Sequence, residues 1–238
     1  MKAITFLLSI VLTANLFGQE TTTAEFKKIQ LGINISPDYC FRTLNNGSSI
    51  DETGKLGYTA GLNMNYNFNK NIGIGLGIHY SIKGYKTSMN ALSYGDMIDP
   101  NYGFIYDPSH TGANIKYIYN FHYLDIPLKV NFVTGKKKIR FITSVGLTTN
   151  VFIKETATRV IEYQDGTHNR KTHVSNYNYN TINLSPTASF GIDWKLNSKN
   201  NLRIEPTFRY GVLKIINAPV TGYLWNAGLN VSYYFGLK

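Results

Sequence analysis

The sequence predicts an all-β fold: an eight-stranded antiparallel up-and-down transmembrane β-barrel with short periplasmic turns and long outer loops. Three observations predict it. Apolar and polar residues alternate with period two over stretches that mostly reach about ten residues or more. The apolar parity of these stretches carries no Asp, Glu, Lys or Arg. The links between stretches alternate strictly between short and long.

Composition narrows the class first. Among 238 residues, 16% are charged and 14% are aromatic. Soluble domains usually carry about 25% charged residues, and disordered chains are poor in aromatics. The single cysteine, Cys40, cannot close an internal disulfide or build a Cys-based zinc site. The mean hydropathy is slightly negative, too polar for a bundle of membrane helices.

The chain opens with Lys2, an apolar run from Ile4 to Leu12, and small or polar residues up to Gly18. That layout predicts a secretory signal peptide over residues 1–18, cleaved near Gly18. The run is too short to span a membrane as a helix, which needs about 20 residues. Residues 19–29 then form a periplasmic lead, and residues 30–236 the barrel.

The first strand is short, with Leu31, Ile33 and Ile35 opposing Gly32, Asn34 and Ser36. The second sets Tyr58, Ala60, Leu62, Met64, Tyr66 and Phe68 against Thr59, Gly61 and three asparagines. After the link Asn69 to Asn71, the third alternates Ile72, Ile74, Leu76, Ile78 and Tyr80 with glycines, His79, Ser81 and Lys83. The pair reads as a hairpin.

The fourth strand is irregular. Tyr117, Tyr119, Phe121 and Tyr123 share one parity, and Leu124, Ile126, Leu128, Val130 and Phe132 the other. The switch predicts a β-bulge at Tyr123–Leu124 or an extramembrane aromatic section joined to the membrane section. The fifth strand runs from Ile139 to Ile153, the sixth from Ile182 to Leu196, the seventh from Leu202 to Val212, and the eighth from Trp225 to Phe235.

A soluble sandwich would show the same alternation. Length and the export signal decide against it, since strands in soluble proteins have a mode of about 5–6 residues and a transmembrane strand needs about 9–11. The polar faces are rich in Gly, Ser and Asn, which suits a narrow lumen. Short links at Asn69–Asn71, Val133–Lys138 and Asn197–Asn201 read as periplasmic turns. Longer links at Asp38–Leu56, Tyr85–Lys116 and Glu155–Asn180 read as outer loops, with a brief one near Asn217–Tyr223. Aromatic girdles at the two interfaces account for Tyr58, Phe68, Tyr80, Tyr123, Phe132, Trp194, Tyr210, Trp225, Tyr233 and Phe235 near strand ends.

The stretch Tyr123 to Phe132 (YLDIPLKVNF) resembles the "YLEIPL" strand of the PorT-like outer-membrane β-barrel proteins of Bacteroidota. Arg209 to Leu213 (RYGVL) is similar to that family's penultimate strand ending. The resemblance covers the chain from about Lys28 to Phe235 and implies an eight-stranded barrel in the outer membrane. One member of that family belongs to a protein-secretion system, a role that a barrel motif does not carry over. The chain departs from many outer-membrane barrels in ending on Gly236, Leu237 and Lys238 after its last aromatic residue.

The polar faces carry the candidate site: Lys83, Asp125, Lys129, Arg140, Asp193, Lys195, Arg203, Glu205 and Arg209. An eight-stranded barrel is just wide enough for side chains to fill it, and buried charges must be paired or hydrogen-bonded. Along the sequence, Glu205 falls between Arg203 and Arg209, Asp193 beside Lys195, and Asp125 beside Lys129. This predicts a structural network of ion pairs inside the barrel, the other reading being a selectivity filter or proton path.

Gly73, Gly75 and Gly77 lie at alternate positions of a strand, so they make room in the lumen and do not form a nucleotide loop. His79, His110, His122, His168 and His173 have no metal-ligand spacing. Only His168 and His173, with Glu155, Glu162 and Asp165, share a loop where a metal or catalytic set could gather. No Ser, His and Asp set is matched. The formal charge of +10 is scattered over lumen, turns and loops, which argues against nucleic acid and for anionic lipid headgroups, with Lys136, Lys137 and Lys138 in a predicted turn.

The functional expectation is a non-enzymatic outer-membrane barrel with a filled lumen, acting structurally or binding a protein or polysaccharide through its outer loops. The 85–116 loop is rich in Tyr, Asn, Gly and Asp, residues that suit adaptable contacts. The alternative is a small passive pore or a transport or secretion accessory. No cofactor or metal is expected.

Overall fold

The computed structural model describes residues 27–44, 51–91, 113–163, 166–174, 177–217 and 222–237. Its strands are β1 (Ile29–Leu44), β2 (Asp51–Asn67), β3 (Ile72–Ala91), β4 (Ala113–Thr134), β5 (Ile139–Glu162), β6 (His168–Val174), β7 (Ile182–Lys195), β8 (Asn200–Tyr210) and β9 (Gly222–Leu237). All pair antiparallel. The order β4-β3-β2-β1-β9-β8-β7-β5, with β4 also paired to β5, closes a ring of eight strands. The expected signal peptide, the 92–112 stretch with His110, and Asp165 lie outside the described residues.

Burial alternates along the strands in the sense expected. In β1, Gln30, Gly32, Asn34, Ser36 and Asp38 are buried while Ile29, Leu31, Ile33 and Ile35 are exposed. The exposed faces of the other ring strands are likewise apolar along their lipid-facing lengths, with Leu62, Met64, Ile74, Leu76, Ile78, Leu128, Val145, Leu147 and Phe190 among them. A lipid-facing band of this kind with a polar interior is the arrangement of an outer-membrane barrel.

The ring differs from the sequence expectation in four ways. First, β1 does not stop at Ile35 but continues through Pro37 to Leu44. Pro37 has no N–H to donate, and pairing with β9 lapses there, resuming at Asp38–Gly228. Second, β2 to β5 run well into the expected loops.

Third, the described residues include a ninth strand. The 155–180 link is not a plain loop: β5 continues to Glu162, and β6 returns along it with Thr156 opposite Val174 and Glu162 opposite His168. Gly166, at φ +81°, stands in the connection, where a left-handed backbone favours glycine.

Fourth, β4 does not change parity. Asp125, Tyr123 and Phe121 all point inward. What changes is the chemistry inside, so the aromatic extramembrane section is the reading that fits. The bulge falls on the partner strand: His122 faces Lys154 and Tyr123 faces Phe152, leaving Ile153 as the extra residue of β5.

The wall is lopsided as a result. β4 has 22 residues and β5 has 24, against 14 in β7 and 11 in β8. From His122 to Ala113, β4 rises roughly 30 Å beyond its lipid-facing part, at about 3.3 Å per residue.

Candidate functional site

The lumen is built from the inward parity of the ring. Its lowest row is centred on Asp193 of β7, which stands directly opposite Arg140 of β5 and Arg203 of β8. Arg203 Nε donates to Asp193 Oδ1 at 2.9 Å, Arg140 Nε to Oδ2 at 3.0 Å, and Asn201 Nδ2 to both oxygens at 3.1 Å. Arg203 also donates to Gln30 at 3.3 Å and lies 4.4 Å over the Tyr234 ring.

In the next row, Glu205 Oε1 accepts from Ser189 Oγ at 2.8 Å and Ser144 Oγ at 3.2 Å. Higher up, Asp38 accepts from Thr59 Oγ1 at 2.6 Å, Ser36 Oγ at 2.7 Å and Arg209 Nη1 at 3.3 Å. Arg209 starts on β8 and must cross β9 to reach Asp38 on β1. It crosses near Gly228, where a Cβ would come within 1.8 Å of Asp38 Oδ1. Asp125 pairs with Lys83 Nζ at 2.9 Å and accepts from Asn150 at 2.6 Å, and Asn150 accepts in turn from Ser185.

Eight of the nine expected charges therefore share one interior, Lys195 standing at its rim, but their partners differ from those adjacency suggested. Glu205 takes serines, not Arg203 or Arg209. Asp193 takes Arg140 and Arg203, not Lys195, and Asp125 takes Lys83, not Lys129. Cross-strand neighbours have Cβ atoms about 5 Å apart, closer than residues two apart on one strand, which a rise of about 3.4 Å per residue separates by nearly 7 Å. Lys129 lies between Gly75 and Gly146 and makes no ion pair or hydrogen bond among the described residues. Lys195 stands half-buried at the periplasmic rim.

Above these rows the filling becomes aromatic. Tyr85, Phe121, Tyr123, Ile215 and Leu224 form a buried cluster, with Tyr119, Phe152 and Tyr179 against it. Tyr123 belongs here, 2% exposed, and not to the outer girdle where the sequence put it. Two links carry the cap. Tyr179 and Ile215 come from the β6–β7 and β8–β9 connections, which Asn180 N→Ile215 O (2.9 Å) and Asn180 Nδ2→Lys214 O (2.9 Å) hold together.

Tyr179 donates to the buried Glu155 at 2.9 Å. Arg42 donates to Tyr85 Oη at 2.6 Å and pairs with Glu52. Burial pushes the Tyr85 and Tyr119 phenols up, with Arg42 opposing in both.

The described members of the possible metal or catalytic set in the 155–180 link do not converge. Glu155 points into the mouth, Glu162 pairs with Lys116 at 2.7 Å, and His168 and His173 are exposed on β6. Among the described residues no three His, Cys, Asp or Glu side chains stand close enough to hold a metal ion. His79 bonds Asn63 at 2.8 Å and His122 bonds Tyr80 at 2.5 Å.

The sequence profile of the outer membrane protein β-barrel domain matches residues 17–217. The chain belongs to that family. No curated protein matches it. Solved structures similar to this barrel include Neisserial surface protein A, at 8% identity over 88% of this chain and 97% of that one, with a TM-score of 0.45. OprG of Pseudomonas aeruginosa is 12% identical, covering 91% and 100%, with a TM-score of 0.43. The protease OmpT of Escherichia coli is 8% identical, covering 92% and 99%, with a TM-score of 0.41.

For this family member, sequence reasoning missed Asp38, Arg42 and Glu52, and it put Glu155 in an outer-loop set where the structure puts it in the mouth of the lumen. Ending the first strand at Ile35 placed Asp38 in a loop. The signal was present: Ser36, Asp38 and Cys40 keep the inward parity past Pro37, and Tyr39 and Phe41 keep the outward one.

Proposed function

We propose that this outer-membrane β-barrel is non-enzymatic and that its lumen is a structural plug, with recognition carried by the outer wall and loops. The observation that supports this reading is the succession of buried side-chain rows along the described interior. Ion pairs on Asp193, Asp38 and Asp125 and the serine-bonded Glu205 are stacked beneath the aromatic cap of Tyr85, Phe121 and Tyr123. A lumen in which Asp, Glu and Arg are committed to each other or to hydroxyls has little left with which to select a solute.

The outer wall supports the binding half of the reading. The outer parts of β3, β4 and β5, together with β6, rise beyond the lipid-facing band, and the 92–112 stretch between β3 and β4, rich in Tyr, Asp and Gly, suits a protein or polysaccharide partner. Residues 1–18 act as the cleaved leader to the outer membrane and 19–29 as a lead into the barrel. The YLDIPL stretch of β4 supports placement among the PorT-like proteins of Bacteroidota.

The test is conductance. Purified protein in planar bilayers is expected to leave the baseline unchanged. Stable single-channel steps would overturn the plug and favour the passive pore, and a change in ion selectivity on replacing Arg203 or Arg209 would place the path in the lumen.

A further inference from the structure

Lysine recurs at the periplasmic end of the barrel. Lys70 stands in the β2–β3 turn, Lys136, Lys137 and Lys138 in the β4–β5 turn, Lys199 in the β7–β8 turn, and Lys195 at the end of β7. All three periplasmic turns carry lysine, and Lys28 precedes β1 at the same end. The backbone carbonyl of Lys28 is fixed to that rim by Asn67 N at 2.7 Å. Among the described residues of this end the sole acid is Asp193, which Arg140 and Arg203 already occupy. The outer end also carries basic residues, but there acids accompany them, and two pairs are formed, Lys116–Glu162 and Arg42–Glu52.

Two of the turns are preset in the same way. Asn69 Oδ1 accepts from the N–H groups of Asn71 and Ile72, both at 2.8 Å, and Asn197 Oδ1 accepts from those of Lys199 and Asn200, both at 2.8 Å. These Asx turns hold Lys70 and Lys199 at exposed tips. The depth of the collar is set by aromatic residues on the lipid face: Tyr66, Phe68, Phe132, Trp194 and Phe235 are exposed at the lower strand ends. Such residues sit at headgroup level, and the turn lysines follow them by two to six residues, within roughly 7–20 Å of chain.

We propose that this collar binds the phosphates of anionic phospholipids in the inner leaflet and holds a selected annulus of them against the barrel. Its distribution favours lipid over an acidic protein. The lysines are spread over turns around the ring at one depth, which matches an annulus and not a one-sided docking patch. Long lysine side chains bury their stems along the wall while the ammonium groups reach the phosphates. Each lysine engaged on an anionic surface favours the anionic lipid by roughly fivefold. The inference does not depend on whether the lumen conducts.

The test uses the full chain in nanodiscs of phosphatidylcholine with a minor share of phosphatidylglycerol, with the retained lipids read by native mass spectrometry. Phosphatidylglycerol is expected to be enriched at least about threefold over its bulk share, and high salt should weaken the enrichment. The combined variant Lys70→Gln, Lys136→Gln, Lys137→Gln, Lys138→Gln and Lys199→Gln should abolish it. Lys86→Gln with Lys154→Gln, on the outer end, should leave it intact. A faster-running unboiled band on a gel would show that each variant still forms the barrel. Equal enrichment in the wild type and the collar variant, or none in the wild type, overturns the proposal. Binding of soluble polyglutamate to the wild type in pure phosphatidylcholine, without phosphatidylglycerol enrichment, would assign the collar to an acidic polypeptide instead.

Discussion

The lower lumen and the outer mouth are two sections of one tube, filled by opposite chemistry. Asp125 and Phe121 are four residues apart on β4, point the same way, and are each 1% exposed. One is a carboxylate in an ion pair and the other a phenyl ring in an aromatic cluster. The difference lies outside the wall. Around Asp125 the outward neighbours Leu124 and Ile126 meet hydrocarbon, so the apolar side is spent on lipid and the polar side faces in. Higher on β4, Lys116 faces out and bonds Glu162, so the inside can be apolar as in a soluble domain. Lys83 marks the border, pairing with Asp125 below and lying 5.3 Å from the Tyr123 ring above.

The sharpest test of this contrast is Asp193→Asn. It leaves Arg140 and Arg203 without their carboxylate in a buried row and is expected to cost about 3–5 kcal/mol, read as a lower midpoint of urea unfolding in liposomes. A change near zero would mean that the lower lumen is hydrated enough to screen its charges.

Next is Gly228→Ala. The new methyl must displace Asp38 and disturb its contact with Arg209. A loss of about 1–3 kcal/mol is expected, partly restored if Asp38→Asn is added.

A more local effect belongs to the mouth. Tyr179→Phe removes the donor to Glu155 and should cost about 1–3 kcal/mol. Because Tyr179 lies in a connection and not in the ring, the effect should appear as faster amide exchange around Asn180 and Ile215, with the barrel's unfolding midpoint nearly unchanged. A global shift would show that the two sections fold as one unit.

The smallest is a pH effect. The Tyr85 phenol is raised above its ordinary value of 10.0 by burial. A raised phenol favours the neutral, folded form. Its contribution is therefore complete below about pH 10 and is lost as pH rises through the higher folded value. Ultraviolet titration should show a late-ionising tyrosine that Tyr85→Phe removes.

The sequence by itself determined which face of each strand meets lipid. Period two leaves only two choices per strand, and charge is excluded from one of them, as Leu62, Leu76 and Leu128 against Thr59, Lys83 and Asp125 make plain. It also determined the closed ring of eight, because strand length and loop alternation are both written along the chain. Tertiary structure decided three things. Partners inside the lumen follow from register, which brings Arg140, Asp193 and Arg203 into one row across three strands, and no one-dimensional spacing contains that row. The length of the outer wall follows from pairing on both edges of β5, which turns an apparent loop into β6. The aromatic mouth follows from where the membrane ends, since the inward parity of β4 is unbroken and only the medium outside it changes.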